Sequence, residues 1–121
     1  MNSEQLRDQI ITHIQEKKGE KIVVLNLQKV TTLSDYFIIC TGLVEPHIKA
    51  IRDHVVDELT ERGLKCWHIE GEQAMNWVLL DYVDVVVHIF NPQARDYYKL
   101  EKLWADAERT EIPDEEHTLS K

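Results

Sequence analysis

The first apolar residues of the chain recur every four positions, which is the spacing of one face of a helix. They are Leu6, Ile10 and Ile14. Ser3 is suited to cap the first turn, and Gly19 after two lysines is a typical helix end. The pattern predicts a first helix over residues 4–18.

Two short segments that follow are apolar at most positions and rich in β-branched residues. They span residues 22–27 and 35–41, and Gly42 ends the second. Strands that are covered on both faces have this composition. The polar link between the two segments is short enough for antiparallel pairing.

A second stripe with helical spacing follows Pro46, a residue that suits the first turn of a helix. The stripe consists of Ile48, Ile51, Val55 and Leu59. Gly63 ends this helix, and residues 64–70 form a third predicted strand. A helix in this position suits a right-handed crossover between parallel strands.

The last third of the chain contains two more predicted strands and a helix. Residues 77–81 and 85–90 are apolar and close enough in sequence to pair as a hairpin. A helix over residues 94–107 follows them. Its predicted inward face consists of Tyr97, Leu100, Trp104 and Ala107.

The predicted order of elements is therefore αββαβββα. It indicates an α/β (α+β) fold in a single domain, residues 1–107, whose helices flank a five-stranded mixed sheet. Pro113 and its acidic neighbours predict that residues 108–121 form an acidic, flexible C-terminal tail.

The composition fits one soluble domain, since 43% of the 121 residues are hydrophobic and 30% are charged. The longest apolar run, residues 36–40, is far too short to span a membrane. The first residues resemble neither a secretion signal nor a transit peptide, and two cysteines give no disulfide framework. These features predict a cytoplasmic protein.

The charge of the chain narrows the class of partner. Acidic residues outnumber basic ones by 22 to 14, and the formal net charge is -8. Such a chain is repelled by a phosphate backbone, so we expect no direct sequence-specific contact with nucleic acid. An acidic body favours a basic protein surface as its partner.

No arrangement of residues predicts an active site. The turn over residues 41–47 has a single glycine and an acidic residue where a phosphate would bind, so we favour a plain turn over a nucleotide cradle. Carboxylates lie close together at Glu70 and Glu72 and again at Asp81 and Asp84. A metal-dependent transferase needs such groups, but acidic residues are also common in turns, which is the interpretation we favour.

Histidines and cysteines do not predict a metal site either. Cys66 and His68 share one strand face, but no second pair of ligands stands at a spacing typical of zinc sites. His47 and His54 share a helix face, where single histidines are usually surface or capping residues. His88 lies in an apolar strand and is predicted to be a hydrogen-bonded core residue. We expect no metal and no cofactor.

Aromatic residues gather in the last third of the chain, and Trp and Tyr dominate the energetics of protein interfaces. We predict a protein-binding surface formed there by a strand and the final helix. Its residues are Trp77, Leu80, Tyr82, Arg95, Tyr98, Glu101, Lys102 and Trp104. The alternative for Tyr97 and Trp104 is a place in the core, which we favour for at least one of the two.

Five blocks of this sequence resemble the Iojap family, the ribosomal silencing factors. In chain order they are DYFIICTG (35–42), EG (70–71), WVLLDY (77–82), DVVVHIF (84–90) and RDYYKLEKLW (95–104). The likeness covers residues 4–107. It is specific because all five blocks occur in the same order as in the family.

The resemblance implies a fold related to nucleotidyltransferases but without their catalytic carboxylates, and a binding protein rather than an enzyme. Members of the family bind the large ribosomal subunit through ribosomal protein L-fourteen. They thereby block joining of the small subunit and lower translation when nutrients are scarce. A nucleotidyltransferase-like enzyme and a general protein adaptor are the alternatives, and the sequence leaves open whether the free protein forms a homodimer.

Two places depart from the family pattern. Residues 43–46 stand where family members have small polar residues followed by an arginine, which puts in doubt any polar contact made by that turn. Val83 stands where most members have glycine, in the turn between the last two predicted strands. Because valine disfavours positive φ, we predict a hairpin turn with negative φ at this residue.

Overall fold

The structure, a computed structural model, describes residues 1–114. It contains a six-stranded sheet, not the predicted five strands. The elements are, in chain order, α1 (Ser3–Glu16), β1 (Glu20–Asn26), β2 (Tyr36–Thr41), α2 (Glu45–Glu61), β3 (His68–Glu70), β4 (Trp77–Asp81), β5 (Val85–Phe90), α3 (Pro92–Tyr98), α4 (Leu100–Leu103) and β6 (Glu108–Ile112).

The sheet is mixed, as predicted, and its strand order is β3-β4-β5-β2-β1-β6. β2 and β5 run parallel at the centre, and all other neighbours are antiparallel. The predicted antiparallel pairing of β1 with β2 and the predicted β4–β5 hairpin are both confirmed. Helix α2 leads from β2 to the far edge of the sheet, where β3 runs in the same direction as β2.

The sixth strand, β6, lies in the segment that the sequence assigned to a flexible tail. It pairs antiparallel with β1 along its whole length, with Ile22 opposite Ile112 and Asn26 opposite Glu108. Four of its five residues are exposed, so it lacks the apolar alternation that marks a strand in a sequence. This strand therefore forms through backbone pairing with the edge of β1. The predicted domain boundary at residue 107 is too early, because the domain includes β6. Residues 115–121 of the predicted tail lie outside the described residues.

The two faces of the sheet are covered by different helices. Helices α1 and α2 pack on one face, where Ile10 and Ile51 meet Ile38 and Val87 in a fully buried cluster. On the other face, Phe90 and further strand residues pack against α3, α4 and the segment that follows. Strands β1 and β5 are buried on both sides, as their continuous apolar sequence predicts. Within residues 1–114 no helix is both long and apolar enough to cross a bilayer.

Several element ends differ from the sequence prediction. Asn2, not Ser3, caps α1: its side chain accepts a hydrogen bond from the Gln5 amide, and the Gln5 side chain accepts one from the Asn2 amide. The third strand is only three residues long. The predicted final helix is broken into α3 and α4 because Lys99 adopts a left-handed conformation with φ +48°.

The hairpin turn at Val83 contradicts the predicted negative φ. Val83 has φ +72°. The Asp84 amide donates a hydrogen bond to the Tyr82 carbonyl across it, at 2.9 Å, and this bond closes a three-residue γ-turn. The carboxylate of Asp81 also accepts a hydrogen bond from the Val83 amide at 2.7 Å. These bonds hold a β-branched residue in a conformation that glycine adopts more easily.

A candidate protein-binding surface

Three aromatic side chains at the start of β4 and the end of α3 form a continuous, partly exposed surface, which we call the aromatic surface: Trp77, Tyr97 and Tyr98. The ring centres of Trp77 and Tyr98 lie 4.6 Å apart, and those of Tyr97 and Tyr98 lie 5.0 Å apart with perpendicular planes. Trp77 is half-buried, Tyr98 is 44% exposed and Tyr97 is 79% exposed. Large aromatic groups in this state are typical anchors for a protein partner.

The core fixes the position of Trp77. Its ring stacks on Phe90 at 4.9 Å, and its indole nitrogen Nε1 donates a hydrogen bond to Nδ1 of His88 at 3.1 Å. His88 is almost completely buried, which confirms its prediction as a hydrogen-bonded core residue. The accepting Nδ1 is unprotonated, so the neutral ring carries its proton on Nε2. One edge of Trp77 is therefore locked while another edge reaches solvent.

Two residues predicted for the surface lie instead in the core. Leu80 is completely buried and Tyr82 is 7% exposed, both in the cluster beneath α1 and α2. Successive strand residues point to opposite faces, so Leu80 cannot share the face of Trp77 three positions earlier. These two side chains are unavailable to a partner of the folded protein.

Arg95 and Glu101 were predicted to contact a partner, but they bind each other. The Arg95 guanidinium lies 2.9 Å from the Glu101 carboxylate, and it also donates a hydrogen bond to the Thr41 hydroxyl at 2.9 Å. Both charged side chains are mostly buried, at 12% and 15% exposure. The pair fastens α3 to α4 and to the end of β2.

A groove with a volume of about 630 Å³ lies between α4 and the edge formed by β1 and β6. Its walls include Arg95, Glu101, Lys102 and Trp104, four of the predicted residues. Lys102 is exposed, whereas Trp104 is half-buried and packs edge-on against Phe37 at 5.6 Å. The eight predicted residues thus separate into Trp77 and Tyr98 on the aromatic surface, these four in the groove, and two in the core.

Tyr97 is the residue of this surface that the predicted set missed. The helical spacing placed it inward with Leu100 and Trp104, but the left-handed turn at Lys99 changes the direction of the chain between them. Trp104 does pack against the core while Tyr97 points to solvent. No sequence pattern signals this break, because lysine is an ordinary helix residue.

The acidic residues once considered for metal chemistry are engaged locally. Glu70 lies 2.9 Å from His68, and Glu72 lies 2.9 Å from Arg52. The turn after Gly42 is also closed by its own chain, since the Leu43 amide donates to Nδ1 of His47. These contacts support the interpretation of both places as structural turns.

Acid is expected to destabilise the fold through His88. Burial lowers the pKa of His88 to about 3, against about 6.5 in an unfolded chain. The unfolded state therefore binds the extra proton first, and stability is full above pH 6.5 and falls as the pH drops toward 3. Between pH 6.5 and 5 the expected loss is roughly 1 kcal/mol for each pH unit.

Urea denaturation measured from pH 7.5 to pH 5 tests this expectation. The His88→Gln variant, which retains a group able to accept the Trp77 bond, should show a flatter dependence on pH. His68→Gln is the matched control, because His68 is exposed. An unchanged slope in His88→Gln contradicts the assignment.

The fold and this surface define a small α+β domain with an exposed aromatic face suited to a protein partner. The model of the family described as "Ribosomal silencing factor during starvation" matches residues 1–121. The chain therefore belongs to this family, and the resemblance seen in the sequence is confirmed.

Individual relatives agree with this membership. The ribosomal silencing factor RsfS of Halalkalibacterium halodurans is 37% identical over 112 residues, covering 93% of this chain and 96% of the relative. The chloroplast protein Iojap of Zea mays is 35% identical over 81% of this chain and 42% of the relative. A crystal structure of a protein from Chromobacterium violaceum superposes with a TM-score of 0.84 at 30% identity, covering 100% of this chain and 95% of the other.

Proposed function

We propose that this protein binds the large ribosomal subunit through ribosomal protein L-fourteen and sterically blocks joining of the small subunit. It would act in the cytoplasm and lower translation when nutrients are scarce. The observation that carries the proposal is the match of the ribosomal silencing family over residues 1–121. The mechanism needs only binding, without a chemical step.

The aromatic surface is the proposed centre of contact. Interface energy concentrates in a few aromatic and arginine side chains near the middle of an interface. Tyr98 and Trp77 provide such a centre, and Tyr97 extends it. Lys102 and the rest of the groove would form a polar rim that acts mainly on the association rate.

The charge of the chain supports a protein rather than RNA as the direct contact. A net charge of -8 opposes the phosphate backbone that covers much of a ribosomal surface. It complements a basic ribosomal protein, and the same field would guide the chain to that protein and away from the surrounding RNA.

We expect the protein to suppress reassociation of purified ribosomal subunits. Light scattering after raising Mg²⁺ reports 70S formation directly, and gradient sedimentation shows whether the protein comigrates with free large subunits. Saturating protein should prevent the scattering increase when it is added to large subunits first. Adding it after assembly should have much less effect, because the contact surface is then covered.

Two measurements separate the silencing proposal from a general adaptor and from a nucleotidyltransferase-like enzyme. Unchanged reassociation at saturating protein contradicts the silencing proposal and favours a general adaptor. Calorimetry with ATP, CTP and Mg²⁺ tests the nucleotidyltransferase-like alternative. Nucleotide binding that Glu70→Ala abolishes, together with transfer activity, would favour the enzyme.

A further inference from the structure

Two histidines and a glutamate converge where α1 packs on α2. His13 and Glu16 are three residues apart on α1, so they lie on the same side of the helix. His54 faces them from α2, with its ring 5.5 Å from that of His13 and perpendicular to it. The sequence paired His54 only with His47, and it gave no reason to associate His54 with α1.

One carboxylate oxygen lies at the meeting point of the two rings. Oε1 of Glu16 is 2.9 Å from Nδ1 of His13 and 2.8 Å from Nε2 of His54. The three candidate ligand atoms all lie within 4.8 Å of one another. In residues 1–114 this is the only group of three or more His, Cys, Asp or Glu side chains arranged so closely.

We propose that His13, Glu16 and His54 bind a divalent transition metal ion of the zinc class, which joins α1 to α2. Two imidazole nitrogens and one carboxylate oxygen are a donor set that zinc uses, with a water molecule in the fourth position. The site lies on the opposite face of the sheet from the aromatic surface. The inference is therefore independent of the proposed function.

The two nitrogen–oxygen distances require little movement, whereas the two ring nitrogens, which lie within 4.8 Å of each other, have to come to roughly 3.4 Å through a shift of the His54 ring. Ligands at 2.0–2.1 Å from a tetrahedral ion are roughly 3.4 Å from one another, so the two nitrogen–oxygen separations need to lengthen by only about half an ångström. Both nitrogens already point at the place occupied by Oε1. An ion bound between them displaces this oxygen outward, and Glu16 can follow because its side chain is 51% exposed.

Burial gives the site one fixed ligand and an entry path. The His13 side chain is 4% exposed and is held by the helix packing, whereas His54 is 23% exposed and Glu16 faces solvent. An ion can therefore arrive from the Glu16 side.

Metal titration of the untagged full-length protein tests the proposal. After treatment with a chelator, calorimetry with ZnCl₂ should show one equivalent bound in the micromolar range or tighter. One equivalent of Co²⁺ should give the intense visible absorption of a tetrahedral site, and Zn²⁺ should raise the melting temperature.

Variants of the two more accessible ligands identify the site without disturbing the buried His13. His54→Gln and Glu16→Gln should each weaken Zn²⁺ binding more than about 100-fold, since loss of an outer-shell partner alone weakens affinity by about 10–100-fold. His68→Gln is the matched control: it removes an exposed histidine that also pairs with a glutamate, and it should bind Zn²⁺ normally. Circular dichroism establishes that each variant is folded.

Two results would overturn the proposal. One is the absence of stoichiometric Zn²⁺ or Co²⁺ binding to the chelator-treated protein. The other is binding that survives in folded His54→Gln and Glu16→Gln, or that is lost in His68→Gln. In either case the three side chains act only as a hydrogen-bonded contact between the helices.

Discussion

Replacing Tyr98 by alanine is expected to weaken binding to the large ribosomal subunit by about thirtyfold or more. Truncation of a central aromatic anchor typically costs roughly 2 kcal/mol, and about 1.4 kcal/mol corresponds to a factor of ten in affinity. Tyr98 suits this test because 44% of it is exposed and its nearest aromatic neighbours are Trp77 and Tyr97, with the buried Phe90 farther away at 6.4 Å. The fold should lose roughly 1–3 kcal/mol, since each aromatic pair contributes about 0.5–1.5 kcal/mol beyond the area that it buries.

Cosedimentation with purified large subunits measures the affinity, and thermal denaturation measures the fold. Trp67→Ala is a matched control, because Trp67 is 72% exposed and lies beside the other end of β4. It should bind like the unchanged protein. If folded Tyr98→Ala binds with unchanged affinity, the aromatic surface is not the contact site.

Trp77 is a less direct probe of the same surface. Its ring packs on Phe90 and bonds His88, so Trp77→Ala also removes core contacts. Truncation of a buried Trp typically costs about 3–5 kcal/mol, and partial burial makes the cost here smaller but substantial. Loss of binding in this variant is informative only if its unfolding transition shows that the native state is still populated.

Gly71→Ala is expected to destabilise the protein by about 3 kcal/mol or more. Gly71 has φ +85°, a conformation that costs an alanine roughly 1–2 kcal/mol. An added Cβ would also overlap the carbonyl oxygen of Trp77, so the first residue of β4 would have to move. Because that residue belongs to the aromatic surface, subunit binding should weaken together with stability.

Gly63→Ala separates the cost of the backbone conformation from the cost of the overlap with Trp77. Gly63 has nearly the same backbone conformation, with φ +82°, but an added Cβ meets no atom within 4 Å. Urea denaturation should therefore show only the conformational loss of roughly 1–2 kcal/mol for this variant. Equal losses at the two glycines would mean that the contact with Trp77 is relieved at no cost.

Much of the aromatic surface was predictable, but its exact membership was not. The clustering of Trp77 and Tyr98 in the last third of the chain is visible in the sequence. Leu80 was wrongly included because alternate residues of a strand face opposite sides of the sheet. Tyr97 was left out because the break at Lys99 turns it away from Leu100 and Trp104. Arg95 lies in the groove and not on the aromatic surface, and its side chain binds Glu101.

The sequence by itself determined the main helices, the central strands and the family. These depend on local periodicity and on ordered blocks of residues, such as the continuous apolar run of β5, and both can be read without knowing what lies nearby. The antiparallel β1–β2 pair and the β4–β5 hairpin followed because short links leave few other ways to pair strands.

Only the tertiary structure decided the features that depend on distant partners. β6 forms because the edge of β1 offers unpaired backbone groups, although its own residues are mostly exposed and charged. The γ-turn at Val83 uses bonds between neighbouring residues, but the pairing of β4 with β5 requires the chain to reverse there, against the local preference of valine. His13, Glu16 and His54 meet only because α1 and α2 pack together. The spacing of these residues in the sequence does not predict that contact.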